Sequence, residues 1–267
     1  KIIMKIGFIG CGNMATAMLK GILKSGEVEA SDMIASAKSD KTREKIEKEL
    51  GIRKADTNAQ VVDFADVVFL AVKPQFLEGV LDEIRDSVKA GQIFISIAPG
   101  KTLQWLGERL GENTKVIRTM PNTPAMVGEG MTALCVNELV TEEEIALAVK
   151  LCDTFGKTEV IPEHLMDAVV GVSGSSPAYV FMFLEAMADA AVADGMPRAQ
   201  AYKFAAQSVL GSAKLMLETG KHPGELKDMV CSPAGTTIQA VRVLEEKGFR
   251  SAVIEAQTEC VKKAKGM

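Results

Sequence analysis

The sequence predicts an α/β fold: an N-terminal Rossmann-type doubly wound sheet followed by an all-α C-terminal dimerisation domain. Three observations carry this. Short apolar runs alternate with helical patterns as far as Pro162. The first of those runs enters a glycine turn that opens a helix. Beyond Pro162 there is no strand signal, and Ala-rich helical patterns fill the rest of the chain. Strand–helix alternation argues for a parallel sheet covered on both faces. The boundary is therefore placed near Pro162, with an α/β domain over residues 1–162 and a helical domain over residues 163–267.

In order, the apolar runs read as strands at Lys5–Ile9, Met33–Ala35, Val67–Val72, Ile93–Ile97, Val116–Thr119, Thr132–Val136 and Thr158–Ile161. Between them the 3.6-residue period predicts helices at Met14–Ser25, Thr42–Gly51, Ala59–Phe64, Gln75–Val88, Thr102–Leu110 and Glu142–Phe155. Thr141, ahead of three glutamates, reads as a helix cap. The second half reads as helices at Glu163–Val172, Pro177–Asp194, Arg198–Thr219, Pro223–Cys231, Gly235–Glu246 and Phe249–Lys265. Val180, Phe181, Phe183, Leu184, Met187 and Ala188 cover much of one cylinder. A helix apolar on most sides must be buried on most sides. A second copy of the bundle covers it most economically, so a homodimer built on the C-terminal helices is expected.

Composition narrows the function. A hydrophobic content of 47% beside 25% charged residues suits a soluble globular protein. The net charge of −4 gives no attraction to nucleic acid or to an anionic membrane. The five cysteines are scattered and lack any Cys-x-x-Cys, so neither a disulfide framework nor a metal site is indicated. A cytoplasmic location is expected. No basic-then-apolar leader precedes the first strand. The most apolar helical stretch, Tyr179–Val192, carries Glu185 and Asp189 and reads as too short to span a bilayer.

Gly10-Cys11-Gly12-Asn13-Met14-Ala15 is the dinucleotide fingerprint Gly-x-Gly-x-x-Ala in its proper setting, after a strand and before a helix. Gly10 permits the tight turn, Gly12 lets backbone approach a pyrophosphate, and Ala15 lets the helix pack close to the strand. The helix N-terminus adds free N–H groups and a positive dipole end. Residues 1–162 are therefore expected to bind a dinucleotide. The end of the second strand chooses which one, because an acid there accepts from the ribose hydroxyls of NAD and repels a 2′-phosphate. Here Ser36-Ala37-Lys38-Ser39 delays the first acid to Asp40. Ser36 and Ser39 can donate to a phosphate and Lys38 can neutralise it, so NADPH is expected, with NADH the weaker substitute. Asn58 either caps the next helix or touches the adenosine side. Ala71-Val72-Lys73-Pro74 ends the Val67–Val72 strand, with Pro74 stopping the strand and the backbone of Ala71 and Val72 beside the cofactor. Lys73 faces either solvent or the nicotinamide. Ala98-Pro99 should form the floor under the nicotinamide ring.

Ser232-Pro233-Ala234-Gly235-Thr236-Thr237 precedes a helical pattern and reads either as an ordinary cap or as an N–H nest for a carboxylate. With Arg118-Thr119-Met120-Pro121-Asn122-Thr123-Pro124, Val127-Gly128-Glu129-Gly130, Ser173-Gly174-Ser175-Ser176-Pro177-Ala178-Tyr179 and Leu226–Thr237 all in order, the chain resembles the pyrroline-5-carboxylate reductase family from end to end. Members commonly have Gly where Ser176 and Ala234 stand, and some have Asn where Met229 stands.

The resemblance implies hydride transfer from NADPH to the C=N carbon of 1-pyrroline-5-carboxylate, giving L-proline. It implies that Ser232 and its loop hold the substrate carboxylate, through the backbone N–H groups of Ala234, Gly235 and Thr236 and the Thr237 hydroxyl. Thr237 is also the implied donor to the imine nitrogen. A neutral Thr is a poor acid, so it would orient a water or relay a proton, or the substrate would arrive protonated. Glu163 matches a position that the family places near the substrate; read as a residue alone, it is an exposed helix start. A dimer, and larger rings of dimers, are further implications. Other NADP-dependent enzymes, of the imine reductase or β-hydroxyacid dehydrogenase type, are the alternative, but the latter's Lys-x-x-Asn-Asn is missing: Lys214 is followed by Leu215-Met216-Leu217-Glu218. A non-catalytic NADPH-binding regulator is the other alternative.

Overall fold

The structure, a computed structural model, describes residues 2–266. Eight strands form one sheet: β1 (Ile6–Ile9), β2 (Met33–Ser36), β3 (Arg53–Ala55), β4 (Val67–Leu70), β5 (Ile93–Ser96), β6 (Lys115–Met120), β7 (Gly130–Val136) and β8 (Gly156–Val160). Their order is β3-β2-β1-β4-β5-β6-β7-β8. The first six are parallel, β7 runs antiparallel to β6, and β8 runs parallel to β7. The chain winds outward from β1 in both directions, which opens a crevice between β1 and β4 at the carboxyl ends of the strands.

Period-two alternation divides the strand residues between two cores. Phe8, Phe69 and Ile95 face one side with Met18, Leu19 and Phe155, and the rings of Phe8 and Phe69 stack at 4.5 Å between centroids. Ile9, Val68, Leu70 and Phe94 face the other side with Val61, Leu77 and Leu106. A parallel sheet apolar on both faces needs helices on both, and the sequence supplies them. They are α1 (Asn13–Ser25), α2 (Asp40–Leu50), α3 (Asn58–Phe64), α4 (Pro74–Ile84), α5 (Leu103–Leu110) and α6 (Glu142–Cys152). Thr141 caps α6 as expected. Its hydroxyl accepts from the Glu144 N–H at 3.3 Å, while the Glu144 carboxylate accepts from the Thr141 N–H at 2.9 Å.

Three details differ from the sequence expectation. β3 is a strand that the apolar pattern does not announce: it is a three-residue edge on which Arg53 and Lys54 are exposed. Edge strands tolerate such charge because one flank has no neighbouring strand, where charge discourages pairing with another chain. Pro74 starts α4 rather than stopping a strand; β4 already ends at Leu70, and a proline's fixed φ suits a first helical position. Finally, the single helix expected over Glu163–Val172 is three short pieces: a 3₁₀ turn at Glu163–Leu165, α7 (Met166–Val169) and a π turn at Val170–Gly174.

The fold separates into two compact units. One runs to Gly174 and takes back the chain from Val261 onward; the other is Ser175–Cys260. The second contains α8 (Ser176–Ala193), α9 (Arg198–Thr219), α10 (Pro223–Val230), α11 (Thr236–Glu246) and most of α12 (Phe249–Ala264). Ala188 on α8 and Ala201 and Ala205 on α9 are buried, and α10, α11 and α12 bury no residue fully. Of the apolar face foreseen in the sequence, Val180, Phe181, Phe183 and Met187 are exposed while Ala188 is buried, and Met182, Phe204 and Leu217 of the same unit stand 69%, 68% and 82% exposed. The run Glu163–Ala193, made of the 3₁₀ turn, α7, the π turn and α8, spans 31 residues and is long and apolar enough to cross a membrane by length and composition alone, with a mean hydropathy of 1.2 in its most apolar stretch. The apolar segment Tyr179–Val192 that the sequence marks out lies wholly within α8, the last part of that run. All five cysteines are free.

Candidate active site

The glycine turn is built as the fingerprint requires. Gly10 takes φ +97°, and a Cβ there would lie 2.5 Å from the Ala71 carbonyl oxygen. Only glycine permits both the positive φ and that approach. Ala71 is held beside it, its N–H donating to Ile9 O at 2.8 Å across the β1–β4 crevice. Gly12 forms the N-cap of α1, has no side chain to satisfy the helix donors, and has open space where a Cβ would stand. Gly12 and Asn13 are exposed and Met14 is half-buried, so the first N–H groups of α1 face outward into room for an anion. Cys11 differs from its neighbours. Its side chain is buried in the core, 3.7 Å from the Thr16 hydroxyl, and burial pushes its thiol pKa up. Only its backbone can serve a cofactor.

Beside this turn lies a cleft of about 500 Å³ lined by Gly10, Ser36, Lys38, Asn58 and Val72 of the expected set, and also by Arg43, Phe76 and Glu83. That volume falls within the usual range of small-molecule sites. An open glycine turn, an uncapped helix N-terminus and this cleft together fit a dinucleotide.

Two expectations about its polar groups change. Asn58 does not cap α3; the Thr57 hydroxyl does, accepting from the Gln60 N–H at 3.3 Å. Asn58 instead accepts from the Ser36 hydroxyl at 2.7 Å and donates to Glu83 at 2.9 Å. The Ser36 proton is therefore committed to Asn58 and is not aimed at a phosphate. Ser39 caps α2 by accepting from the Thr42 N–H, and it is not among the residues that line the cleft. Lys38 remains in the cleft, its ammonium 5.0 Å from the centroid of Phe76. Arg43 was not visible as a site residue, because only its place on the first turns of α2, just after β2, brings it to the cleft.

The other expected cofactor residues lie outside this cleft. Lys73 is the exposed N-cap of α4, directly ahead of Pro74. Ala98 is buried at the end of β5, its N–H donating to the Ser96 hydroxyl at 3.2 Å, and Pro99 is exposed after it.

Glu163 is neither a free helix start nor an open carboxylate. Its Oε1 accepts from the Leu103 N–H at 2.7 Å and from Arg118 Nη1 at 3.0 Å. The Arg118 side chain is 5% exposed and that of Glu163 33%. The pair fastens β6 and the start of α5 to the chain after β8. Cys135 pairs with Arg118 across the β6–β7 ladder, and its thiol is pushed up to about 12, first by burial and then by the Glu163 charge. Asn122 stands in the Arg118–Pro124 motif, where the sequence assigns it no role of its own. It accepts from the Met131 N–H at 2.7 Å and donates to Ser173 O at 3.1 Å, tying the loop after β6 to the π turn.

In the second unit the Ser232–Thr237 loop turns tightly into α11. Ala234 has φ +57°, the only positive φ of a non-glycine residue among those described. The Gly235 N–H donates to Ser232 O at 3.1 Å, so it is spent on the turn. Gly235 then caps α11 without a side chain, leaving the first helix donors, at Thr236 and Thr237, without a cap partner. The loop is mostly exposed and Thr237 is half-buried. Ser176, the other departure from the family pattern, begins α8 in ordinary helical backbone.

Comparison with known proteins adds the family. Residues 163–267 match the pyrroline-5-carboxylate reductase dimerisation domain, and residues 5–100 match the NADP oxidoreductase coenzyme F420-dependent domain. The former gives a reason for the uncovered apolar faces of α8 and α9: the domain self-associates. The chain is 56% identical over 260 residues to the pyrroline-5-carboxylate reductase of Escherichia coli (strain K12), covering 97% of each. A solved pyrroline-5-carboxylate reductase from Coxiella burnetii superposes with a TM-score of 0.94 at 34% identity, over 99% of this chain and 98% of that one. A Plasmodium falciparum pyrroline carboxylate reductase solved with NADP bound superposes with a TM-score of 0.88 at 28% identity, over 99% and 98%. With an open dinucleotide turn in one unit, a tight Ser-Pro-Ala-Gly-Thr-Thr loop in the other, and kinship along nearly the whole length, the chain belongs to the pyrroline-5-carboxylate reductase family.

Proposed function

We propose that this chain reduces 1-pyrroline-5-carboxylate to L-proline with NADPH, the last step of proline synthesis. The carrying observation is kinship at 56% identity across 97% of both chains. When bound, the dihydronicotinamide supplies the hydride, which goes to the C=N carbon; a proton must go to the ring nitrogen. The chain's own residues receive, hold and orient. The open N–H groups at Gly12, Asn13 and Met14 receive the pyrophosphate, and Lys38 draws the phosphorylated ribose. Ala71, Val72, Ala98 and Pro99 offer backbone and small side chains to the nicotinamide half. Lys73 and Pro74 set the path of the chain between Val72 and α4.

The Ser232–Thr237 loop holds the substrate carboxylate. With the Gly235 N–H engaged in the turn, the donors left to do so are Ala234, Thr236 and the Thr237 hydroxyl. That hydroxyl orients a water or relays the proton to the imine nitrogen. Holding the partners in attacking geometry can supply about 7–11 kcal/mol of the barrier reduction. We assign Glu163 to the shape of the site through its bond to Arg118, with any contact to substrate secondary.

The active form in this reading is a homodimer joined through the helices of residues 163–267, with assembly of dimers into a ring as a further step. A reducing cytoplasm suits five free thiols.

A spectrophotometric assay of NADPH and NADH oxidation with pyrroline-5-carboxylate tests the reading. Turnover is expected with both, faster with NADPH. Binding of NADPH without turnover would favour a regulator; turnover only with other imines or hydroxyacids would favour a different NADP enzyme. A Thr237→Ala change should lower kcat by about a hundredfold, with Thr237→Ser restoring most of it.

A further inference from the structure

We propose that Arg43 is the second cation of the 2′-phosphate seat, and that Asp40 keeps it in reserve until the phosphate arrives. The proposal rests on the nucleotide reading of the cleft. Ser36 and Lys38 reach that cleft from the end of β2, and Arg43 reaches it from the first turns of α2. The Ser36 hydroxyl donates its hydrogen bond to Asn58, so the hydroxyl donor that the sequence places here is engaged elsewhere. Two carboxylates, Asp56 and Glu83, also line the cleft, and Glu83 is engaged by Asn58. A dianionic phosphate in such a place needs more positive charge than Lys38 alone provides. Lys38 already lies over Phe76 and presents only a point charge.

Arg43 supplies what is missing. Its guanidinium is ion-paired with Asp40 on the same helix and donates to Ala37 O at 3.4 Å. The Arg43 side chain is 28% exposed whereas that of Asp40 is 87% exposed, so the pair sits with its acid in water and its base toward the cleft. An exposed pair of this kind is weak. A phosphate offers three acceptors and nearly two charges to the same fork-shaped donor, and outcompetes one solvated carboxylate. Arg43 thus exchanges Asp40 for phosphate when NADPH binds, and stays with Asp40 when NADH binds. Discrimination between the cofactors then comes from a residue seven positions beyond the strand end usually read for it.

Calorimetric titration of the full chain with 2′,5′-ADP and with 5′-AMP tests this without turnover. Arg43→Met keeps the aliphatic stem and removes the charge. It should weaken 2′,5′-ADP binding about 10- to 100-fold and leave 5′-AMP unchanged. Asp40→Asn should tighten 2′,5′-ADP about two- to fivefold, again with 5′-AMP unchanged. Equal loss of both ligands in Arg43→Met, or no loss of 2′,5′-ADP, would overturn the assignment of Arg43 while leaving the cleft as the nucleotide site. Weaker 2′,5′-ADP binding in Asp40→Asn would overturn the reserve role. Failure of the unaltered chain to bind either ligand would overturn the nucleotide reading itself.

Discussion

Replacing Glu163 by Ala separates a fastening role from a substrate-holding one. The change strands the Arg118 guanidinium, 5% exposed, and removes the acceptor of the Leu103 N–H at 2.7 Å. Breaking a fully buried pair from one side costs about 3–5 kcal/mol. The Glu163 carboxylate is a third exposed, so water screens it and reaches part of the gap it leaves; about half of that figure is reasonable. The lost hydrogen bond to α5 adds about 0.5–1 kcal/mol. The sum, about 2–3 kcal/mol, lowers Tm by about 5–10 °C in a protein of this size. Glu163→Gln keeps an acceptor for Leu103 and loses only the charge, so its loss should be about half as large. Thermal unfolding followed by circular dichroism, run beside KM for pyrroline-5-carboxylate, reads both quantities. An unchanged Tm with a strongly raised KM would refute the reasoning, since it would mean that the carboxylate works on substrate and that Arg118 is indifferent to its loss.

Three further outcomes follow from the geometry. Ala234→Gly should stabilise the chain by up to about 1 kcal/mol in chemical unfolding, because a left-handed alanine costs about 1–2 kcal/mol and glycine returns part of that as chain entropy. Ala234→Val should do the opposite. Burial holds the thiols of Cys135 and Cys152 at about 12 against an ordinary 9.0, with Glu163 and Asp153 respectively adding to it. The folded chain therefore keeps protons that the unfolded chain releases, and stability must fall as pH rises above about 9, by about 1.4 kcal/mol per pH unit for each thiol. Urea titrations at rising pH check the slope, which Cys135→Ala should flatten. Phe204→Glu places a charge on a side chain 68% exposed on the uncovered face of α9, and light scattering should register a smaller assembly.

The first unit was legible because its physics is local. The strand–turn–helix of Ile6–Ser25 fixes its own geometry: glycine at φ +97°, an uncapped helix start, and an alanine buried at 1% where the helix meets the sheet. What escaped is what depends on distance in the chain. Arg53–Ala55 forms a strand only because β2 offers an edge to it, and its charged residues hide the pattern. The Ser36–Asn58–Glu83 chain joins residues from β2, α3 and α4, so no spacing rule could have foretold that Ser36 would spend its proton there. The same holds for Glu163, whose partners stand 60 and 45 residues earlier.

The helical unit carries the opposite lesson. Its individual helices were readable to within a residue or two, yet its stability is not contained in one chain. Ala188, Ala201 and Ala205 are its buried residues, while Phe181, Met182, Phe204 and Leu217 face outward. Small residues inside let helices approach closely but bury little area, and area is what offsets the entropy of ordering them. The large apolar side chains are on the outside, so the burial that holds this unit together comes from association, in agreement with its match to a dimerisation domain. The Ser232–Thr237 loop is mounted on this same unit, between α10 and α11, neither of which buries a residue fully. In the proposed function this loop holds a carboxylate in fixed geometry, and it cannot be more rigid than the helices that carry it. On that reading self-association and substrate binding are coupled, and dilution to monomer should cost substrate affinity before it costs binding of nucleotide in the first unit.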